Sequence, residues 1–304
     1  MKTGKMNPVR ADFDDLLSLK RRAVLPILKT NKKAYTGFGE TKSPFKTKGL
    51  DFQEVRAYQP GDDIRLIDWR VTAKYGKPFT KLYTDEKERQ VYFICDMRTR
   101  MKFASRGAFK SVWSARLAVF LAYMAQNRGD KTAYTILSSD MIETSYSMHG
   151  NDAVLSLIRA VEIASNPEHI SEDKLPLSQA LAESELLIKN GSIVFILSDF
   201  SDWDGKCDGI IGRLSRKNTV ALIHIYDQLE ETLPKGIFPI SDGYHISFLN
   251  TEKSSFMRTY TQAFQHIRQK LKEAVQSYQL GFMPLRTDLD GIELVDAFCR
   301  GGQQ

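Results

Sequence analysis

Two aspartates close continuous apolar runs in this sequence: Asp96 ends QVYFICD and Asp199 ends SIVFILSD. After the first, the order MRTR places Arg98 and Arg100 at alternate positions. Paired carboxylates can ligate a hard divalent cation, but magnesium takes near-octahedral oxygen ligands at about 2.1 Å. Guanidinium has five donors and no acceptor, so this set points to ion pairing or to capture of an anion. A second polar cluster lies upstream in VRAYQPGDDIRLIDWR, with Arg56, Asp62, Asp63, Arg65, Asp68 and Arg70 gathered around Trp69. Pro60-Gly61 suits the centre of a type II turn. Asp62 or Asp63 can cap the helix-like stretch that follows, and Trp69 reads as a core anchor. The charge density exceeds what a turn requires and marks a partner-facing or interdomain polar network. The enzymatic alternative is a metal-dependent hydrolase or nuclease using Asp62, Asp63 and Asp68.

The elements that must carry these residues alternate from residue 90 onward. QVYFIC is a strand-type run. GAFKSVWSARLAVFLAYMAQNRG repeats its apolar residues at helical spacing, with Gly129 suited to end it. Residues 131–148 read as two strands about a tight turn, and helices follow from Asn151 or Asp152 to Ala164 and across PLSQALAESELLIKNG. SIVFILSDF is a buried strand, GIIGRLSRKN a helix, TVALIHIYD a strand, YHISF a short strand, and residues 254–277 a long amphipathic helix. Regular alternation predicts an α/β fold with a doubly wound, mostly parallel sheet covered by helices. Working sites in such sheets lie outside the carboxyl ends of the strands, where Asp96 and Asp199 would emerge.

Composition excludes several classes. With 304 residues, 42% of them hydrophobic, the chain can bury a large core without staples. Cys95, Cys207 and Cys299 lack C-x-x-C spacing and read as small buried hydrophobes in a reducing compartment. No signal peptide or apolar run of membrane-spanning length is present, which predicts a cytoplasmic protein without transmembrane segments. The net charge of +6 is N-terminal: residues 1–88 hold 19 Lys+Arg against 12 Asp+Glu, leaving 24 against 25 beyond. No base-reading module and no interleaved aromatics accompany KRR, KTNKK or KTK, so a solvated face is the reading and nucleic acid is not expected. Phosphate-loop, dinucleotide, zincin and nucleophile-elbow motifs are all absent. Among five dispersed histidines, His224 inside ALIHIY reads as a satisfied core residue.

The segment GLDFQEVRAYQPGDDIRLIDWRVTAK, followed by VYFICDMRTRM, resembles the hallmark of the MoxR-associated proteins grouped as domain of unknown function number fifty-eight. Residues 89 to about 280 resemble a von Willebrand factor A-type domain. That resemblance implies a metal-ion-dependent adhesion site formed by a D-x-S-x-S strand end, a loop threonine and a later strand-end aspartate. Here Asp96 and Asp199 match, Arg98 and Arg100 replace both serines, and the loop ISEDKLPLSQ has no threonine. The resemblance thus implies a degenerate metal site with no cofactor, or magnesium recruited weakly by Asp96 and Asp199. In one arrangement Arg98 or Arg100 takes the place of the ion and neutralises both aspartates. Charges about 4 Å apart attract by roughly 4 kcal/mol at an effective dielectric near 20, before desolvation. In the other, both arginines face outward to grip an acidic partner or phosphate.

Three regions are expected: 1–88 with an N-terminal helix from Asn7-Pro8 to about Leu28, a basic linker and the hallmark subdomain; 89–280 as the A-like domain; and 281–304 as a tail with a short helix. The resemblance implies a non-enzymatic interaction module or adaptor working with a MoxR-type AAA+ ATPase on a protein client. The alternative of a metal-dependent adhesion-type binder stands beside it.

Overall fold

A computed structural model describes residues 6–24, 55–59, 64, 67–81, 89–241, 246–251 and 254–300. The chain falls into two compact units: Met1–Phe45 together with Arg89–Gln304, and Lys46–Glu88.

The larger unit begins with α1 (Phe13–Val24). It continues through β3 (Gln90–Asp96), α3 (Lys110–Gln126), β4 (Lys131–Leu137), β5 (Ile142–Thr144), α4 (Gly150–Ala164), α5 (Leu177–Glu185), β6 (Ile193–Ser198), α6 (Gly205–Ser215), β7 (Thr219–Tyr226) and α7 (Gln228–Glu231). A hairpin of β8 (Ile237–Ser241) and β9 (Ile246–Asn250) precedes α8 (Ser254–Tyr278), β10 (Gly281–Arg286) and α9 (Gly291–Arg300). The smaller unit holds β1 (Val55–Ala57), α2 (Trp69–Tyr75) and β2 (Phe79–Lys81), with β1 and β2 antiparallel.

Six strands form the main sheet in the order β10-β7-β6-β3-β4-β5. All neighbours are parallel except β4 and β5. Because strands of such a sheet are buried on both faces, they are apolar without interruption. Alternate residues serve opposite cores: Val91, Phe93 and Cys95 pack with α1, α3, α4 and α9, while Tyr92 and Ile94 pack with α5, α6 and α8. Helix α3 is buried nearly all round, even at Lys110, Ser111 and Ser114, because the sheet covers one side and other helices cover the rest.

Two expected boundaries are corrected. Helix α1 belongs with the sheet, since Leu16 and Leu19 are fully buried against the α3 core; the described part of the helix begins at Phe13 and ends at Val24. Residues 281–286 of the expected tail are an edge strand paired with β7, which the sequence reading did not include, while its short helix α9 packs beside the sheet with Ile292 and Val295 in the core. The expected basic linker over 35–49 lies outside the described residues.

Candidate functional site

The order of strands puts a switch point between β3 and β6: the chain steps from β3 to β4 on one side, and after β5 and two helices it crosses back to β6 on the other. Asp96 ends β3 and is fully buried. Its Oδ1 accepts from Arg98 Nε at 2.9 Å, and its Oδ2 accepts from Arg98 Nη2 at 2.6 Å and from Ser198 Oγ at 2.7 Å. Arg98 is fully buried and extends its fork to Asp202, with Nη1 to Oδ2 at 2.6 Å and Nη2 to Oδ1 at 3.0 Å. Nη1 also donates to the Leu175 carbonyl at 3.1 Å. Each of the five guanidinium N–H donors thus has an acceptor.

Arg100 does different work. Its Nε donates to Asp173 Oδ2 at 2.8 Å and its Nη1 to Ser201 Oγ at 2.8 Å, and its side chain is 31% exposed. Asp173 comes from the loop in which the resemblance looked for a threonine. Its carboxylate also receives the Thr99 backbone N–H and the Ser139 hydroxyl, tying that loop to the β3 exit. Asp202 likewise accepts the Leu177 N–H and fixes the first turn of α5.

Asp199 is held by another cation. Lys110, the first residue of α3 and 1% exposed, donates to Asp199 Oδ2 at 2.8 Å and to Glu230 Oε1 at 2.5 Å. Glu230 meanwhile closes a capping box with Asp227 at the start of α7. Asp227 is fastened in turn by Ser105 and Thr287. The arrangement in which one arginine neutralises both aspartates is therefore corrected: Arg98 serves Asp96 and Asp202, and Lys110 serves Asp199. Phe200, between these acids, has φ of 54°, a strained setting for an aromatic residue; its N–H is met by Ser198 Oγ at 3.0 Å.

Electrostatics follow the contacts. Burial pushes the Asp96 carboxyl up, against the pull of Arg98. Burial also works against the Arg98 and Lys110 charges, but their carboxylate partners outweigh it and raise both. Burial would raise Asp173 and Asp202 too, yet hydrogen bonds from Arg100 and Arg98 hold them below the ordinary carboxylate range. Asp199 is held lower still, the Lys110 charge overcoming its burial. The divalent cation implied by the A-type resemblance does not fit these residues. The gap between Asp96 and Asp202 is filled by a guanidinium that offers no oxygen, and among the described residues no group of His, Cys, Asp or Glu is arranged to hold a metal.

In the smaller unit Asp68 caps α2, accepting from the Arg70 and Val71 N–H groups at 3.0 and 3.2 Å. Asp62, Asp63 and Arg65 lie outside the described residues. Arg56 sits in β1 and Arg70 on the exposed first turn of α2. Trp69 is 67% exposed rather than a core anchor, because the seven-residue α2 buries none of its side chains. Lys110, Asp173 and Asp202 are the site residues that sequence reasoning missed.

The family described as Protein of unknown function DUF58 matches residues 54–273. The chain belongs to the DUF58 family. An uncharacterized protein of Mycobacterium tuberculosis is 22% identical to this DUF58 chain over 230 residues, spanning 74% of the chain and 70% of that relative. Among solved structures, the DUF58 chain is similar to an aerotolerance-related membrane protein from Bacteroides fragilis, at 13% identity and a TM-score of 0.41, over 69% of this chain and 96% of that one. It is also similar to the SpRpn10 VWA domain, at 9% identity and a TM-score of 0.40, over 71% of this chain and 97% of that one. Among the described residues of this DUF58 protein, no helix is long and apolar enough to cross a membrane.

Proposed function

We propose that this protein is a non-enzymatic interaction module, an adaptor in the cytoplasm that acts with a MoxR-type AAA+ ATPase on a protein client. Its A-like rim is a degenerate metal site. The observation that carries the reading is the fully buried Arg98, saturated by Asp96, Asp202 and the Leu175 carbonyl. A rim locked by its own cation is a rigid platform and leaves no reactive carboxylate free at the strand ends. Buried ion pairs of this kind serve to fix one arrangement of the groups around them. Arg100, the less buried group on the rim, is where a partner would make contact.

Affinity purification of the full chain from native cells, with and without EDTA, tests the reading. Recovery of an AAA+ ATPase in both arms is the expected result. Failure to recover one, or its loss in EDTA alone, overturns the partnership or its metal independence respectively. Calorimetric titration with magnesium is expected to show no micromolar binding at the rim.

A further inference from the structure

His224 is buried as its apolar strand predicts, but its Nδ1 has no hydrogen-bond partner among the described residues, which corrects the expectation of a satisfied core residue. Closed off from solvent, that nitrogen can meet no ligand. The far edge of the sheet is open. β5 stands last in the strand order and pairs only with β4. The Met141 carbonyl accepts from the Ser138 N–H, and the Ser145 N–H donates to the Tyr134 carbonyl. Backbone groups along an antiparallel strand turn to alternate sides, so those of Met141, Glu143 and Ser145 face β4. Those of Ile142 and Thr144 face outward, and no described strand pairs with them. Thr144 is exposed, and so are the large side chains of Met141 and Tyr146 on either side of β5.

A groove of about 400 Å³ accompanies this edge. Glu143 of β5 forms one wall, and the other is a stripe of α4 at helical spacing: Asp152, Leu155, Ser156, Arg159, Ala160 and Ile163. Between them Tyr134 of β4 closes the floor, its hydroxyl 2.8 Å from Ser156 Oγ. Glu143 and Asp152 bring two negative charges against the one positive charge of Arg159, while Ile163 is 63% exposed. A compact ligand in the groove would leave the outward backbone groups unused, and an anion would meet the excess negative charge. An extended chain uses both features, since a strand pairs with the edge and sends alternate side chains over α4. A second copy of this chain suits the edge less well: pairing Ile142 with Thr144 of that copy sets Glu143 directly against Glu143, a destabilising like-charge pair.

We propose that β5 and this groove receive an extended segment of a protein partner, which adds to the sheet as a further strand and sets a lysine or arginine side chain beside Glu143 and Asp152. Main-chain hydrogen bonds with Ile142 and Thr144 hold the segment, and the groove reads its alternate side chains. Apolar side chains two positions from the cation lie against Leu155 and Ile163. The assignment gives the interaction module a second surface, and its test needs neither the ATPase nor the rim, so either reading can fail while the other holds.

The test uses the ¹⁵N-labelled full chain and reads the backbone amides of Ile142 and Thr144 by NMR. The probes are capped peptides: VTKTV, VTETV, and a form of VTKTV N-methylated at its central residues, which keeps the charge but cannot pair as a strand. VTKTV is expected to shift both amides saturably and to slow their hydrogen exchange, with Kd on the order of millimolar for so short a ligand. VTETV, for want of charge complementarity, and the N-methylated peptide, for want of donors, are each expected to bind at least about tenfold more weakly. Thr144→Pro removes an outward N–H that takes no part in the β4 ladder. It is expected to leave the near-ultraviolet dichroism unchanged and to weaken VTKTV binding, read at Ile142, by about tenfold. No saturable shift with VTKTV, equal binding of either control peptide, or binding unaffected by Thr144→Pro overturns the proposal. Exchange at Ile142 and Thr144 that slows with rising protein concentration in the absence of peptide identifies a second copy as the occupant and overturns it as well.

Discussion

At the residue scale, the decisive group is Arg98, because its removal leaves Asp96 fully buried without its cation and takes the guanidinium fork from the half-buried Asp202. Breaking a buried ion pair on one side costs about 3–5 kcal/mol. Arg98→Ser is expected to lose about that much in urea denaturation, and to regain part of it when magnesium is added, since the freed carboxylates and the new hydroxyl are oxygen ligands. The wild-type protein is expected to show no magnesium-dependent gain; a gain there would show that the rim still takes an ion. His224 gives a second prediction. Its unfolded form protonates below about pH 6.5, while the folded form resists until about 3, so the unfolded state binds more protons between these values. Stability therefore falls as pH falls through that window, by up to about 1.4 kcal/mol per unit. From pH 7 to pH 5 the loss is expected to be about 2 kcal/mol, and His224→Phe is expected to remove it. Asp173, Asp199 and Asp202, all held low, lose their contribution only below about pH 4, and the raised Asp96, which acts with the opposite sign, is common to both proteins, so the difference between wild type and His224→Phe isolates the imidazole. Asp96 and Asp199 were legible in the sequence because each ends an unbroken apolar run. Lys110 was not, since a lysine opening a helix reads as solvated until the packing of that helix on all sides is known. Asp202 carried a usable signal: two arginines after Asp96 call for more carboxylates than the strand ends provide, and Asp202 lies three residues beyond Asp199.

At the scale of elements, the loop from β3 to α3 is fixed by a close approach to the end of β10. Gly107 has φ of 77°, and a Cβ there would lie 2.0 Å from the Thr287 carbonyl oxygen. That same oxygen accepts from the Trp113 indole at 2.9 Å, and the Thr287 hydroxyl holds Asp227 at 2.6 Å. Gly129 has the same φ, but a Cβ there would meet nothing within 4 Å. Gly129→Ala is thus expected to cost only the left-handed backbone penalty, about 1–2 kcal/mol. Gly107→Ala is expected to cost clearly more in chemical denaturation, with the surplus measuring the clash; equal losses would show that the two segments part easily. Most elements were readable from periodicity, including the apolar helix after Gly107 and the strands at 90, 193 and 219. Strand β10 was not, because GFMPLR is short and contains Pro284. Proline is tolerated at a sheet edge, where one row of N–H groups has no partner strand, and edge position follows only from the assembled sheet. Of the short hairpin, YHISF gave β9 while β8 was missed, and α2 lies within the helix-like stretch expected after the Pro60-Gly61 turn.

At the scale of the molecule, the larger unit is completed by α1 before the sheet and by β10 and α9 after it. α1 seals the outer side of α3, while β10 and α9 close the β7 side of the sheet and the rest of α3. The charged rim depends on this closure, since Thr287 just beyond β10 fastens Asp227, whose capping box positions Glu230 for Lys110. A chain ended at residue 280, at the boundary suggested by sequence pattern alone, would lose Phe282, Met283, Leu285, Ile292, Val295 and Phe298 from the core. At about 1.5–3 kcal/mol for each buried apolar side chain, the loss is roughly 9–18 kcal/mol. That equals or exceeds the net stability of most domains, about 5–15 kcal/mol. It would also expose the β7 edge as an unpaired row of N–H and C=O groups, a template for aggregation. The truncated chain is therefore expected to be insoluble, or to keep far-ultraviolet dichroism while losing the near-ultraviolet signal of its packed aromatics. A soluble fragment with both signals intact would mean that β10 and α9 ride on a core that closes without them, and that the rim is fastened by α3 and the β6 turn alone.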